Sequence, residues 1–210
     1  MFGWFKKKEQ QPQKPSSPEV LGLRLGGAIE LDDLKFRLIE EYLTIEGAAR
    51  TQLIKAVGEV ELDGQTRLLR FYTDDDGYFQ VLQNGKSDAD VAEVKLVYFY
   101  ETKPIDSDKQ WEHWLASELV KPNKILDEQT FYKVWENERP VAMTEKTWFE
   151  DGSVSETDQF AMVYEREINP ELFEGLQIIA EEKIENNQPQ RSVVFSTSID
   201  VSPTDFRVIG

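Results

Sequence analysis

The sequence predicts a mainly antiparallel β fold, a sandwich or partly open barrel with one clear helix at about 106–120 and a disordered N-terminal tail. Three observations carry that expectation. Asp63-Gly64, Asp76-Gly77 and Asp151-Gly152 each fall between apolar or alternating runs, a strong local hairpin signal because both residue types tolerate positive φ. Most of the remaining apolar residues alternate with polar ones over short spans, the period of a strand. One segment alone combines helical spacing with a cap.

Taken in order, the segment MFGWFKKKEQQPQKPSSP, residues 1–18, differs from all that follows. It holds four lysines against one glutamate, a net of +3 in a chain of net −16, and its Gln, Pro and Ser content reads as a disordered linker. Its tip, Phe2, Trp4 and Phe5 followed by Lys6, Lys7 and Lys8, has the residue types that sit at an anionic membrane surface. Six to eight residues give only a weak anchor, and a solvated tail with incidental aromatics is the reading these residues favour. Residues 19–210 are expected to form a single β domain.

LGLRLGGAI, Leu21–Ile29, has neither the Walker lysine nor dinucleotide-binding spacing and reads as a flexible lead-in. Leu31–Leu43 is ambiguous. Leu34, Phe36 and Leu38 alternate as in a strand, whereas Leu31, Leu34, Leu38, Tyr42 and Ile45 fit a helix, and the reading leans to strand. Arg67–Tyr72 is expected to pair with Tyr78–Gln83, and Val141–Phe149 with Gln159–Arg166. In the last of these Phe160, Met162 and Tyr164 share a face. Val94–Glu101 is apolar on both faces and predicts a central strand.

The helix follows Pro104, is capped by Ser107 with Gln110 three residues on, and ends before Pro122; Trp111, Trp114, Leu115 and Leu119 give its apolar stripe. Val193, Phe195, Thr197 and Ile199 alternate with serines and a valine, which predicts a strand covered on one side. Turn spacing gives roughly ten strands.

Composition excludes several functions. At 210 residues and 40% hydrophobic content the chain can bury a substantial core. A net charge of −16 and a pI near 4.5 disfavour nucleic acid, which needs clustered Lys and Arg, and favour a basic partner. With no cysteine, disulfides, thiolate catalysis and cysteine-ligated metals are excluded. The apolar runs are too short for a membrane-spanning helix or a signal peptide, so a cytoplasmic protein is expected.

The candidate chemistry is sparse. Asp74, Asp75 and Asp76 are the weak candidates for a cation site. Placing Gly77 at the sixth position of a calcium loop puts Tyr72 at the first and Gln83 at the twelfth, where carboxylates are required, and the flanks read as strands. The three aspartates are better explained as a turn that hydrogen-bonds its own amides, with Gly77 at positive φ. His113, the single histidine, lies about 200° round the helix from Trp111 and so faces solvent. Trp111, Trp114, Trp135 and Trp148, with Tyr98, Phe99 and Tyr100, form a core or line a pocket in a barrel mouth.

Five stretches together carry a family resemblance: KAVGEVELDG (Lys55–Gly64), LLRFYTDDDGYFQVLQ (Leu68–Gln83), VKLVYFYE (Val94–Glu101), TFYKVW (Thr130–Trp135) and the closing TDFRVIG. The chain resembles the YjfK-like family of bacterial proteins of unknown function, over nearly its whole length, and RFYTDDDGYFQV is the most specific block. The resemblance carries across no catalytic residues. It implies a genomic setting near a coiled-coil protein resembling phage-shock protein A, a small membrane protein and a ligase resembling glutathionylspermidine synthase, and so a membrane-stress or polyamine-related module.

The expected function is a non-enzymatic interaction or adaptor protein at the cytoplasmic membrane face, with a basic or membrane-associated protein partner, no cofactor and no nucleic acid. The alternative is a β domain that binds a small cationic metabolite such as a polyamine. An enzyme acting through carboxylates alone is third.

Overall fold

The computed structural model describes residues 16–45, 47–185 and 187–209. The tip formed by Phe2, Trp4, Phe5, Lys6, Lys7 and Lys8 lies outside them. In chain order the elements are β1 (Ala28–Leu31), α1 (Asp33–Ile39), β2 (Thr51–Glu61), β3 (Thr66–Thr73), β4 (Gly77–Asn84), β5 (Val91–Pro104), α2 (Asp108–His113), β6 (Asn123–Leu126), β7 (Gln129–Lys133), β8 (Val141–Phe149), β9 (Val154–Asn169), β10 (Leu172–Glu185), β11 (Gln188–Asp200) and β12 (Phe206–Ile209).

All strand pairings are antiparallel, and the twelve strands run in the order β12-β1-β2-β3-β4-β5-β11-β10-β9-β7-β6. The strand missing from that path, β8, pairs with β2 on one side and β9 on the other. Eight strands, β2-β3-β4-β5-β11-β10-β9-β8, therefore close into a ring. Closure works because β2 and β9 are long enough to be shared. The first part of β2 pairs with β1 and the part from Ala56 with β8, while β9 pairs first with β8 and then with β7.

The period of two then sorts side chains into a lumen and an outer wall. The outer faces are the apolar ones. Leu69, Phe71, Phe79 and Leu96 pack outward against Phe36 of α1 and Leu23, Ile29 and Phe206. On the other half Met162, Tyr164, Leu176 and Ile178 pack outward against Trp111 and Leu119 of the α2 region. Two hydrophobic clusters thus flank the ring, and its interior holds a polar set alongside further apolar side chains.

The helix at 106–120 starts as α2, where Ser107 accepts a hydrogen bond from Gln110 N, and widens into one π-helical turn, in which Leu119 N donates to Trp114 O at 2.9 Å. Several expectations are corrected. Leu31–Leu43 is not one strand. Leu31 ends β1, and Asp32 then caps α1 by accepting from Lys35 N, which starts a helix with only Phe36 buried; Leu34 and Leu38 point to solvent, so their alternation with Phe36 marked no sheet face. The Leu21–Ile29 lead-in is folded against the first cluster, with Leu23 and Ile29 fully buried. β8 pairs with Val154–Ala161, not with Gln159–Arg166, because Asp151-Gly152 makes a tight turn that leaves Trp148 opposite Val154. β11 is buried on both faces from Val193 to Ile199, since its second face closes the lumen.

Candidate functional site

The lumen is organised around Arg70, which β3 places in the middle of the ring. Its guanidinium is fully enclosed. Nη1 donates to Glu145 Oε2 at 2.9 Å and Gln159 Oε1 at 2.8 Å, and Nε donates to Gln80 Oε1 at 3.2 Å. Glu145, on the closing strand β8, also accepts from Tyr72 OH at 2.8 and 3.0 Å and from Gln159 Nε2 at 2.8 Å. The Glu145 carboxylate fits because Gly58, diagonal to it across the seam and two residues from its partner Val60, has no side chain: an added Cβ there would lie 1.7 Å from Glu145 Oε1. Gln159 Nε2 continues the chain of bonds to Glu181 Oε1 at 3.0 Å.

This network is a septum between two chambers, since Arg70 lines both. The smaller chamber, ≈ 340 Å³, holds Glu145, Glu181, Lys183 and an aromatic group in which the Tyr72 and Tyr78 rings lie 5.0 Å apart and those of Tyr78 and Phe99 5.5 Å. The larger, ≈ 510 Å³, has apolar walls that include Leu68, Leu82, Val141, Met143 and Val163, with Trp135 contributed by the segment between β7 and β8. Val134 N donates to Val163 O at 3.0 Å and so pins that segment along β9. Its volume lies within the roughly 300–1,000 Å³ usual for small-molecule sites.

Burial governs the electrostatics. Desolvation is the largest single influence on Arg70 and would lower its pKa, but Glu145 together with Tyr72 and Tyr78 outweighs it and the guanidinium stays charged. Burial raises Tyr72 well above the usual phenol range and pushes Tyr78 up to about 12, so both remain protonated donors. Glu181 is raised by burial and by the nearby Glu145 charge, against the lowering effect of Arg70.

Most of the residues singled out from the sequence lie elsewhere. Asp74 Oδ1 accepts from Leu53 N at 2.7 Å, and Asp75 Oδ2 accepts from Ala49 N at 2.7 Å, Tyr98 OH at 2.8 Å and Gln52 Nε2 at 3.2 Å. The knot thus ties its hairpin to β2 and β5 rather than to its own amides. Positive φ falls on Asp76, at 51°, and not on Gly77, whose role is close approach: an added Cβ would meet Val97 O at 2.5 Å. Among the described residues no group of three or more His, Cys, Asp or Glu is placed to hold a metal. His113 is solvent-facing, 3.3 Å from Glu118. Trp111 and Trp114 belong to the second cluster, while Trp135 and Phe99 line the two chambers. No helix among the described residues is long and apolar enough to cross a membrane.

With this geometry in view, three comparisons bear on the chain. A family model described as "Protein of unknown function (DUF2491)" matches residues 1–207. The uncharacterized protein YjfK of Escherichia coli (strain K12) is 26% identical over 219 residues, covering 100% of both chains. No solved structure matches.

Proposed function

We propose that this chain, which belongs to the DUF2491 family of proteins of unknown function, is a non-catalytic barrel that binds a small amphipathic molecule in its lumen. The observation that carries the reading is the ring closed by β8 around a ≈ 510 Å³ chamber with apolar walls and a charged, hydrogen-bonded floor. Eight strands enclose just enough space for side chains to fill or for one small ligand. Here the lumenal residues leave the space unfilled.

The polar groups favour holding over transforming. Glu145 is saturated by Arg70, Tyr72 and Gln159, and the phenols are held protonated. Inside the smaller chamber two carboxylates, Glu145 and Glu181, face two cations, Arg70 and Lys183. That balance favours an amphipathic ligand over a polyamine, even though the chain as a whole is acidic. Native mass spectrometry of detergent-free protein, before and after solvent extraction, tests the reading. The expected result is a small mass released on extraction and excluded by Ala161→Phe, which fills the larger chamber. A protein that binds no apolar probe with or without extraction would refute it.

A second reading, an adaptor protein, is favoured by one feature of α1. Leu34, Leu38 and Tyr42 form an apolar stripe that is 71%, 65% and 52% exposed. A partner captured by the full chain from membrane fractions, and lost with Leu34→Glu and Leu38→Glu, would support it; capture unaffected by both changes would remove this support.

A further inference from the structure

We infer that the larger chamber receives its ligand head-down, and that the head is a hydrogen-bond acceptor, a carboxylate or a carbonyl, seated on the side-chain amides of Gln80 and Gln177. This rests on the ligand-binding reading above and adds the chemical class.

The argument begins with the polarity of the septum. A guanidinium has donors only, so the bond from Arg70 Nε to Gln80 Oε1 fixes which end of the Gln80 amide is which. The NH2 group is left on the side away from Arg70. Gln177 stands in the same sense, its Oε1 accepting from Tyr78 OH at 3.5 Å, a long contact, so the firmer of the two orientations is that of Gln80. Both glutamines are more than nine-tenths buried, at 8% and 7% exposure, and both line the larger chamber. Among the described residues neither Nε2 has a hydrogen-bond acceptor. Each Nε2 opens on the chamber without a protein acceptor, so a ligand or water completes it there.

The surroundings favour an acceptor for two further reasons. The Ser198 hydroxyl adds a donor one lumenal position beyond that floor, level with Gly175, where an added Cβ would lie 2.5 Å from Ser198 Oγ. The positive charge of Arg70 stands between this floor and Glu145, which lines the opposite chamber. The carboxylates of the larger chamber itself lie one position further from the septum. Glu93 lies opposite Leu82, one lumenal position beyond the Gln80–Lys95 pair, and is held by Lys95 at 3.4 Å; Glu165 lies opposite Gly175, one lumenal position beyond the Gln177–Val163 pair. An ammonium head would therefore meet donors and a guanidinium at the floor, whereas an acceptor head meets complementary groups and leaves its tail among Leu, Val and Met side chains.

The test is calorimetric titration of the solvent-extracted full chain with decanoate, methyl decanoate and decylamine. The two acceptor probes should bind, and decylamine should bind about tenfold more weakly or not at all. Gln80→Glu keeps the acceptor for Arg70 but replaces the donor, and Gln177→Glu does the same for Tyr78. In either folded variant decanoate should weaken by about tenfold while decylamine gains. Equal binding of all three probes, or affinity indifferent to both substitutions, would overturn the head-group assignment while leaving the binding reading intact. Failure of every probe to bind the unmodified chain would sink both.

Discussion

Arg70 and Glu145 are each about 3% exposed at the side chain, and one buried charge without the other is expensive. Arg70→Ala leaves Glu145 with its neutral donors only, and should cost about 3–5 kcal/mol in urea denaturation. Gly58→Ala reaches the same pair sterically, by driving a methyl group into Glu145 Oε1, and should cost about 1–3 kcal/mol or more through displacement of the carboxylate. Glu181 behaves in the opposite way. Its folded pKa is raised above the ordinary 4.5 by burial first, so the folded state binds the proton more tightly than the unfolded chain does. The resulting stability is fully present below about pH 4.5 and is lost as the pH rises through the raised value. Glu181→Gln retains an acceptor for Gln159 and removes the charge. Its melting temperature should exceed that of the unmodified chain at neutral pH, and the gap should close on acidification; a gap independent of pH would contradict the assigned shift.

At the scale of elements, the β3–β4 hairpin shows why an acidic turn need not bind metal. Asp75 satisfies one backbone amide and two side chains on β2, the segment before it and β5, so Asp75→Ala should cost about 2–3 kcal/mol, with no recovery on adding calcium. Asp76→Gly should stay within about 1 kcal/mol of the original, because its φ of 51° suits glycine. The hairpin, the central β5 and the capped helix were legible in the sequence because turn chemistry, periodicity and caps are local. Much of the rest was not. Arg70, Tyr72, Gln80, Gln159 and Glu181 alternate with apolar residues as the solvent face of an ordinary amphipathic strand would. Nothing local distinguishes an aqueous outer face from a polar lumen. The difference is made by β8 meeting both β2 and β9, a pairing between residues 85 to 93 positions apart on the β2 side. The same limit explains α1: the Leu34, Phe36 and Leu38 alternation is real, but the Asp32 cap sets the local structure and leaves the two leucines unpartnered among the described residues.

Across the whole molecule, two four-stranded halves, β2–β5 and β8–β11, each carry a hydrophobic cluster on the outside and meet along two seams. A pair of separately cored halves invites independent unfolding. Three features oppose it. The β5–β11 seam runs from Lys95–Asp200 to Pro104–Ser192, the β2–β8 seam from Ala56–Phe149 to Val60–Glu145, and between them Arg70 of the first half is bonded to Glu145 and Gln159 of the second. Loss of either half would expose the other's lumenal face and break the septum, so the two should unfold as one cooperative unit. Apart from Trp4 in the tip, the tryptophans (Trp111, Trp114, Trp135 and Trp148) all lie beyond residue 110, so in a Trp4→Phe background tryptophan emission reports the second half, while far-UV circular dichroism reports both. In urea the two midpoints should coincide, and Arg70→Ala should lower them together. If emission and dichroism separate in the Trp4→Phe chain, the halves are autonomous and the ring is a contact between them; if they separate only with Arg70→Ala added, the septum is what couples them.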